Sequence, residues 1–347
     1  MRSSYIWEAL AVPDVALANS NCGCGYTVNS TTLFTNALET NFTQSGRVTW
    51  TSEASAEWQA QEYNTSAAAA RGPYGKAAEL QNVVVENTGL QLWARSSLLD
   101  GGADGKLVPV AEVVSSRSDF LFGSFRVGMK STAINGTCGA FFFYHNDSEE
   151  IDLELLSKQQ GSVSHLINLV NQSPESVASG YNAVNTSDFI TWPLPFDPTA
   201  DMHEYRFDWL PGRIDMFADG QWMRTFEDSV PFSAGALHLI HWSNGDPGWS
   251  AGPPSEDAVL TVSHVHAYFN TSSQQNSTQC SGDPAATNVC EVSANGAAPT
   301  AGSATTTSSN NSSGTAESSG GRFSSAGAAS AAVYAGVILS WAMTFDS

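Results

Sequence analysis

Three acidic residues alternate with apolar residues in one short run of the chain: Glu150, Asp152 and Glu154 are separated by Ile151 and Leu153. Side chains of a β-strand point alternately to its two faces, so the three carboxyl groups share one face if this run is a strand. The apolar side chains then point to the opposite face, where they can enter a core. Like charges held side by side disfavour full ionisation, which raises the pKa of at least one carboxyl group.

The spacing within this run permits catalysis by a pair of carboxyl groups. The Cα atoms of Glu150 and Glu154 lie about 13 Å apart in an extended strand. On a concave strand, converging side chains would bring the two carboxyl groups within the roughly 5 to 5.5 Å that retaining glycosidases use. Two simpler interpretations are a solvated acidic strand face and a calcium site built from hard oxygen ligands.

The elements that must position this run are short segments of alternating polarity, separated by glycine, asparagine, aspartate and proline, which is typical of β-strands. No segment keeps the period of a helix, although residues 67–70 are compatible with a short helical turn. The pattern predicts an all-β sandwich of two antiparallel sheets over residues 22–270. The predicted strands cover residues 120–129, 139–144, 151–155, 163–170, 203–209, 213–217, 222–226, 237–242 and 259–269.

Two other strands flank the acidic run in a fixed order. The segment Phe122-Gly-Ser-Phe-Arg-Val-Gly-Met-Lys130 precedes it, and His203-Glu-Tyr-Arg-Phe-Asp-Trp209 follows it. Together with the Glu-x-Asp-x-Glu pattern of residues 150–154, this order resembles glycoside hydrolase family 16 over roughly residues 45–270. The resemblance implies a β-jelly-roll sandwich of the concanavalin A-like type, and it implies retaining, endo-acting hydrolysis of β-glucan-type polysaccharides.

The resemblance also implies a role for each acid. Glu150 is expected to be the nucleophile, Glu154 the general acid/base, and Asp152 the residue that orients the nucleophile. Glu154 is expected to be protonated at rest because the neighbouring carboxylates raise its pKa. The run lacks an additional bulge residue, and in this it is similar to the licheninase, xyloglucan-transglycosylase and fungal cell-wall branches of the family.

Four aromatic residues are expected to bind the sugar chain. Phe142 and Tyr144 share the strand parity that the family uses to line its cleft, and Trp242 matches the position of a sugar-stacking tryptophan. Trp249 lies in a loop rich in glycine and proline, which leaves it little core to enter. For Phe142, packing in the core is an equally good interpretation.

Three other functions remain open at this stage. A transglycosylase would use the same residues but pass the sugar to another sugar hydroxyl instead of water. A lectin-like domain would bind glycans without chemistry, although the presence of both Glu150 and Glu154 favours an enzyme. A calcium-dependent adhesion module would hold a metal ion at the acidic strand.

No cofactor is expected to be required, because the chain lacks a dinucleotide fingerprint, a P-loop, a Gly-x-Ser-x-Gly elbow and a paired CxxC motif. A structural calcium ion remains compatible with the composition. His264 and His266 alternate on one strand face, which favours a polar face over a metal pair, so no metal ligands are predicted. His203 is the histidine whose motif position best suits a function, with a structural role as the alternative.

The charge balance restricts the partners. The 347 residues contain 14 Lys and Arg against 34 Asp and Glu, which gives a formal net charge of -20. Such a surface disfavours nucleic acid and anionic membranes as ligands. We expect a monomer whose partner is a polysaccharide.

Sequons and cysteines predict a secreted glycoprotein. Cys22 and Cys24 lie near the start, Cys280 and Cys290 lie after the predicted sandwich, and Cys138 stands alone. We favour disulfides that tie the two ends together, although the sequence does not determine the pairing. Asn-x-Ser/Thr sequons occur at Asn29, Asn41, Asn64, Asn135, Asn146, Asn171, Asn185, Asn270, Asn276, Asn310 and Asn311.

The two ends of the chain suggest processing and anchoring. Residues 1–18 fit a signal peptide weakly, because Glu8, Pro13 and Asp14 interrupt the apolar segment that such a signal needs. Residues 271–320 are rich in Ser, Thr and Asn, which predicts a disordered linker. The apolar tail within residues 321–347 predicts a glycosylphosphatidylinositol attachment signal. A transmembrane helix is the alternative, but it needs about 20 apolar residues.

Overall fold

The computed structural model describes most of the chain between residues 22 and 301. The described residues are 22, 24–29, 32–44, 48–49, 57–180, 182–184, 186–272, 289–293 and 300–301.

Strands make up nearly all of the regular structure. The first twelve are β1 (Gly25–Val28), β2 (Thr32–Phe34), β3 (Asn36–Asn41), β4 (Val48–Thr49), β5 (Trp58–Ala60), β6 (Tyr63–Thr65), β7 (Gly75–Ala78), β8 (Val83–Glu86), β9 (Gly89–Ala94), β10 (Leu99–Asp100), β11 (Lys106–Ser115) and β12 (Phe120–Lys130). The other eleven are β13 (Cys138–Asn146), β14 (Glu149–Leu156), β15 (His165–Gln172), β16 (Phe189–Leu194), β17 (His203–Leu210), β18 (Arg213–Ala218), β19 (Gln221–Phe226), β20 (Ala236–Trp242), β21 (Ala258–Thr271), β22 (Val289–Val292) and β23 (Thr300–Ala301).

The only α-helix among the described residues is α1 (Pro174–Ala178), which Ser173 caps. Four short 3₁₀ segments occupy Phe42–Gln44, Leu80–Asn82, Gly102–Asp104 and Ser157–Gln159. Residues 67–70, where the sequence allows a short helical turn, form a hydrogen-bonded turn in which the Ala70 amide donates to the Ser66 carbonyl.

Two large sheets form the sandwich, as the sequence predicts. The ten-stranded sheet runs in the order β16-β15-β14-β13-β20-β11-β7-β6, and the nine-stranded sheet in the order β19-β18-β17-β12-β21-β9-β8-β4. Most neighbours pair antiparallel, but β7 pairs parallel with β11. The core between the sheets takes the apolar side chains that alternate along each strand, such as Phe141 and Leu153 from one sheet and Phe207 from the other.

The sequence predicts every strand from β12 to β21 except β16, with ends that differ by at most two residues. Apolar and polar residues alternate over long stretches of those strands, so the two-residue period of a strand is visible in the sequence. The strands before residue 120 were not predicted, because many of them are short or rich in small residues. The strand β11 is longer, but nearly all of its residues are buried, so it shows no clear alternation.

A third sheet joins the two ends of the described chain and covers the outer face of the nine-stranded sheet. Its order is β2-β1-β22-β23, and β1 pairs parallel with β22. We call it the terminal sheet. The sequence predicts a linker over residues 271–320, but β22 lies within that segment. The reason is visible in its side chains: Cys290 and Val292 are buried in a small cluster with Tyr26 and Tyr268.

A disulfide between Cys22 and Cys290 closes the terminal sheet, with a Cα–Cα distance of 5.3 Å. This confirms the expectation that a disulfide ties the two ends together. Cys24 is also disulfide-bonded, while Cys280 lies outside the described residues. Cys138 is a free, buried thiol.

One of the predicted glycosylation sites is inaccessible in the folded chain. The side chain of Asn171 is buried, and its amide donates to the backbone carbonyls of Asp228 and Ser229. Asn64, Asn135 and Asn146 are exposed. Asn185, Asn276, Asn310 and Asn311 lie outside the described residues, as do residues 1–18 and 321–347. In the described ranges, no helix is long and apolar enough to cross a membrane.

Candidate active site

The acidic run forms the strand β14, near the middle of the ten-stranded sheet. Its register with β13 is unbroken from Glu150, opposite Tyr144, to Leu156, opposite Cys138. Strict alternation therefore holds across the run: Ile151 and Leu153 enter the core between the sheets, as predicted. Glu150, Asp152 and Glu154 point to the outer face of the ten-stranded sheet.

The three carboxyl groups are buried although they lie on an outer face. Glu150 is 2% exposed and Glu154 is 6% exposed. One oxygen of each acid, including Oδ2 of Asp152, is buried and has no hydrogen-bond partner among the described residues. Such groups are costly to bury, which points to a role other than stabilising the fold.

Glu154 differs from the other two acids because two side chains donate to it. The Cys138 thiol lies 3.3 Å from Oε1, and the Trp249 indole Nε1 lies 3.4 Å from the same oxygen. Oε2 receives no hydrogen bond from the described residues. The two oxygens of this carboxyl group are therefore in different environments.

Burial raises the pKa of all three acids. For Glu154, burial raises the pKa from 4.5 to about 7, against the hydrogen bonds from Cys138 and Trp249, which lower it. The sequence-based expectation of a raised pKa is thus confirmed in direction, but burial replaces the neighbouring carboxylates as its cause. A group with a pKa near 7 suits general acid/base catalysis close to neutral pH.

Glu150 and Asp152 titrate as a pair. Burial first, and then the neighbouring carboxyl group, raises the pKa of Glu150 well above its usual range. Burial and the charge of Glu154 raise the pKa of Asp152, while its hydrogen bond with Glu150 lowers it. Two hydrogen-bonded carboxyl groups in one site share a single proton. This proton sets which of the two is ionised.

A compact loop after β20 holds Trp249 over the acidic strand. The Trp249 amide donates to the Asp246 carbonyl, which makes a tight turn. The Asn244 side chain donates to the Ala70 carbonyl at 2.7 Å and so joins this loop to the segment before β7. The Trp249 ring also lies 6.0 Å from the ring of Phe189. These contacts bury Trp249, contrary to the exposure that its glycine- and proline-rich loop suggests.

The other predicted sugar-binding residues line the same outer face. Phe142 and Tyr144 alternate on β13, and Phe142 stacks on His238 with ring centroids 4.6 Å apart. Trp242 is 1% exposed and lies beneath the Lys76 ammonium, 5.1 Å from it. Tyr144 is half-buried and donates to Asp147. Phe142, Trp242 and Trp249 pack together in one apolar cluster beside the acids, and their contact with a sugar stays a prediction.

A second polar cluster lies on this face, two strands away from β13. Glu112 of β11 is fully buried, accepts a hydrogen bond from the Tyr63 hydroxyl, and lies 2.8 Å from His238 Nδ1. Burial lowers the pKa of Lys76 to about 7, although Glu112 and Glu150 act in the opposite direction. The cluster therefore places ionisable groups of both signs beside the acidic strand.

Sequence reasoning missed four residues of this face: Lys76, Glu112, Cys138 and His238. A signal was present for two of them. Glu112 is a single acid within an apolar strand, and Cys138 has the parity of Phe142 on β13. Neither signal identifies the partner across the sheet, which depends on register.

The predicted histidines lie on the other sheet. His203 contacts Asp219, with Nδ1 2.7 Å from its carboxylate, and stacks on Phe196 at 3.6 Å. The rings of His264 and His266 are 4.5 Å apart on the nine-stranded sheet. Both positions are remote from β14, which favours the structural interpretation. No group of three or more His, Cys, Asp or Glu among the described residues is arranged to hold a metal ion.

Comparison with known families decides the classification. The sequence model described as "Glycosyl hydrolases family 16" matches residues 74–253, which is more than half of the chain and includes β14. The chain belongs to this family. Its fold and its family membership thus agree with the resemblance carried by residues 150–154.

Curated relatives of this family 16 member are distant. It is 28% identical over 140 residues to a "Beta-glucanase" of Paenibacillus polymyxa, covering 39% of this chain and 53% of the relative. It is also 28% identical over 158 residues to "Crh-like protein 2" of Botryotinia fuckeliana, covering 43% of this chain and 33% of the relative. The chain thus spans about half or less of the length of these relatives.

Solved structures support the fold. A β-1,3-1,4-glucanase (lichenase) from a mouse hindgut metagenome superposes with a TM-score of 0.53 at 20% identity, covering 67% of this chain and 98% of the other. An endo-β-1,3-glucanase from Pyrococcus furiosus gives 0.52 at 17% identity, covering 67% and 94%. At these identities the similarity concerns the β-sandwich alone.

Proposed function

We propose that this family 16 member is a retaining, endo-acting β-glycosidase that hydrolyses β-glucan-type polysaccharides. The observation that carries the proposal is the set of three carboxyl groups on one face of β14, in which Glu154 has a pKa near 7. The β-glucanases among the relatives support the substrate class. The aromatic residues beside the acids suit a sugar chain, because sugar rings stack on aromatic faces.

Glu154 acts as the general acid in the first step. It donates its proton to the glycosidic oxygen while the bond from this oxygen to the anomeric carbon breaks. Glu150 forms the new bond to the anomeric carbon, which gives a glycosyl-enzyme. Asp152 takes the proton that the two carboxyl groups share, and this leaves Glu150 ionised for the attack.

Glu154 acts as the general base in the second step. As a carboxylate it removes a proton from water, and the water oxygen bonds to the anomeric carbon while the bond to Glu150 breaks. Two displacements at one carbon retain its configuration. If a sugar hydroxyl replaces the water, the same site performs transglycosylation.

The decisive test is a substrate panel incubated with the intact protein and with Glu150→Gln. The panel contains mixed-linkage β-glucan, β-1,3-glucan, xyloglucan and chitin oligomers, each with and without a fluorescent oligosaccharide acceptor. We expect new reducing ends from a β-glucan with the intact protein alone. Transfer of label without net hydrolysis would assign the transglycosylase instead, and equal binding without product would assign a lectin-like domain.

We further propose that the protein is a secreted monomer, held at the cell wall or plasma membrane by a glycosylphosphatidylinositol anchor. The Cys22–Cys290 disulfide supports an oxidising compartment. Treatment of intact cells with a phosphatidylinositol-specific phospholipase should release the protein. Retention on the membrane after this treatment would contradict the anchor.

A further inference from the structure

Cys138 lies at the start of β13, on the same outer face as the three acids. It is directly opposite Leu156 of β14 and Trp242 of β20. Glu154 lies diagonally across, two residues from Leu156, which is within reach of a side chain on the neighbouring strand. The thiol is 3.3 Å from Glu154 Oε1 and fully buried.

We propose that Cys138 is a positioning residue for the general acid: its thiol and the Trp249 indole hold Oε1 of Glu154, so that Oε2 is the oxygen that carries and delivers the proton. This inference rests on the proposed function. Both donors converge on Oε1, and Oε2 has no hydrogen-bond partner among the described residues. A protonated carboxyl group accepts through its carbonyl oxygen and carries the proton on the other oxygen.

The thiol can only donate in this position. Burial and the nearby acids raise the pKa of Cys138 well above its usual range, so it stays protonated. When the O–H bond of Oε2 breaks and the glycosidic oxygen takes the proton, negative charge appears on the Glu154 carboxylate. Two donors already face Oε1, and hydrogen bonds to a charged acceptor are stronger than those to a neutral one. Cys138 therefore favours the carboxylate that proton delivery produces.

The titration of Glu154 tests this role without requiring activity. The intact protein is labelled with δ-¹³C glutamate, and the Glu154 signal is assigned by its loss in Glu154→Gln. We expect a midpoint near 7 in the intact protein. Cys138→Ala should raise the midpoint by about half a unit to one unit, because one donor to the carboxylate is lost. Cys138→Ser retains a donor and should restore the midpoint.

Two variants separate the hydrogen bond from packing. Cys138→Val keeps a buried apolar side chain but has no donor, so it should shift the midpoint as Cys138→Ala does. Val110→Ala removes volume from the same apolar cluster but no donor, so it should leave the midpoint unchanged. An unshifted midpoint in both donor-free variants, or equal shifts in Cys138→Ala and Cys138→Ser, would overturn the proposal.

Leaving-group dependence provides the kinetic readout. Hydrolysis at a sugar leaving group needs the proton from Glu154, while a nitrophenolate leaves without it. Cys138→Ala should lower kcat for the natural linkage several-fold and leave kcat for a nitrophenyl oligosaccharide unchanged. Equal losses on both substrates would show a purely structural role. If the intact protein cleaves neither substrate, the proposed function fails, while the titration still decides the role of Cys138.

Discussion

Charged side chains are buried on both outer faces of the sandwich, and the two clusters differ in the signs of their charges. On the ten-stranded sheet, Glu150, Asp152 and Glu154 are all acids. On the nine-stranded sheet, Arg206 pairs with Asp208 at 2.9 Å beneath the terminal sheet. The second cluster pairs opposite charges, whereas the first buries three acids side by side, which costs stability and points to a role in chemistry.

The two faces also differ in how they are covered. Arg126 of β12 lies directly opposite Arg206 of β17 and donates to the backbone carbonyl of Ser293, next to β22. A backbone carbonyl accepts this hydrogen bond without becoming protonated, so the contact holds the terminal sheet in place and takes no part in proton transfer. The acids are covered by loop residues such as Trp249, whose indole donates to Glu154. We infer that one cover fixes the fold, while the other places groups for proton transfer.

The largest effect should come from the proposed nucleophile. Glu150→Gln removes the carboxylate to which the proposed mechanism assigns the attack, and it should lower hydrolysis of β-glucan by about 10³-fold or more, measured as reducing ends released. The fold should be retained, because a repulsive neighbour is removed. Glu149→Gln is the matched control on the same strand, and it should retain most of the activity because its amide oxygen still accepts from the Phe232 and Ser233 amides. Similar losses in both variants would contradict the assignment of Glu150.

Breaking the opposite cluster should affect stability instead of activity. Asp208→Ala removes the carboxylate that pairs with the buried Arg206 and should lower the free energy of unfolding by about 3 to 5 kcal/mol in urea denaturation. Asp215→Ala is the matched control, because its partner Arg213 is about half exposed, and it should cost about 1 kcal/mol or less. Activity per folded molecule should be unchanged in both. A loss of activity with no loss of stability in Asp208→Ala would contradict this difference between the two faces.

The cost of burying Glu154 should depend on pH. Below pH 4.5, its ordinary pKa, the carboxyl group is protonated in both the folded and unfolded states, so its ionisation contributes nothing to the free energy of unfolding. Between pH 4.5 and about pH 7, this carboxyl group has lost its proton in the unfolded chain but keeps it in the folded chain. The free energy of unfolding therefore falls as the pH rises through this range, and it stays low above it. Glu154→Gln should therefore gain stability relative to the intact protein between pH 4 and pH 8, by on the order of 3 kcal/mol. Thermal unfolding at both pH values measures this gain, and a pH-independent difference would refute it.

The smallest effect should come from the terminal sheet. Cys22→Ser removes its disulfide to Cys290 and should lower the free energy of unfolding by about 2 kcal/mol. Since the terminal sheet lies on the face opposite to the acids, β-glucan hydrolysis by the folded variant should be unchanged. If the fully folded variant hydrolysed β-glucan more slowly than the intact protein, the two outer faces of the sandwich would be coupled.

The sequence predicts the acidic strand well because strand parity is a local property. The positions of Glu150, Asp152 and Glu154 on one face follow from alternation alone. The environment of these acids depends on register and loops, which are not local. Cys138 reaches Glu154 through the pairing of β13 with β14, and Trp249 is buried because Asn244 contacts Ala70, 174 residues earlier in the chain.

The same distinction explains what sequence reasoning missed in the fold. The strands from β12 onward alternate over six or more residues in most cases and could be predicted, whereas β7 contains Gly75 and two alanines and shows no alternation. The strand β22 lies in a segment of linker-like composition. Its pairing with β1 and the Cys22–Cys290 disulfide are contacts over more than 260 residues, and composition does not report them.

The central claim is that the acids of β14 perform a double displacement on a β-glucan. The most direct measurement is the proton NMR spectrum of the anomeric signals during the first minutes of hydrolysis of a β-glucan oligosaccharide, with Glu150→Gln run in parallel. The account predicts that the β-anomer of the new reducing end appears first with the intact protein and that no product forms with the variant. An α-anomer appearing first, or unchanged hydrolysis by Glu150→Gln, would contradict it.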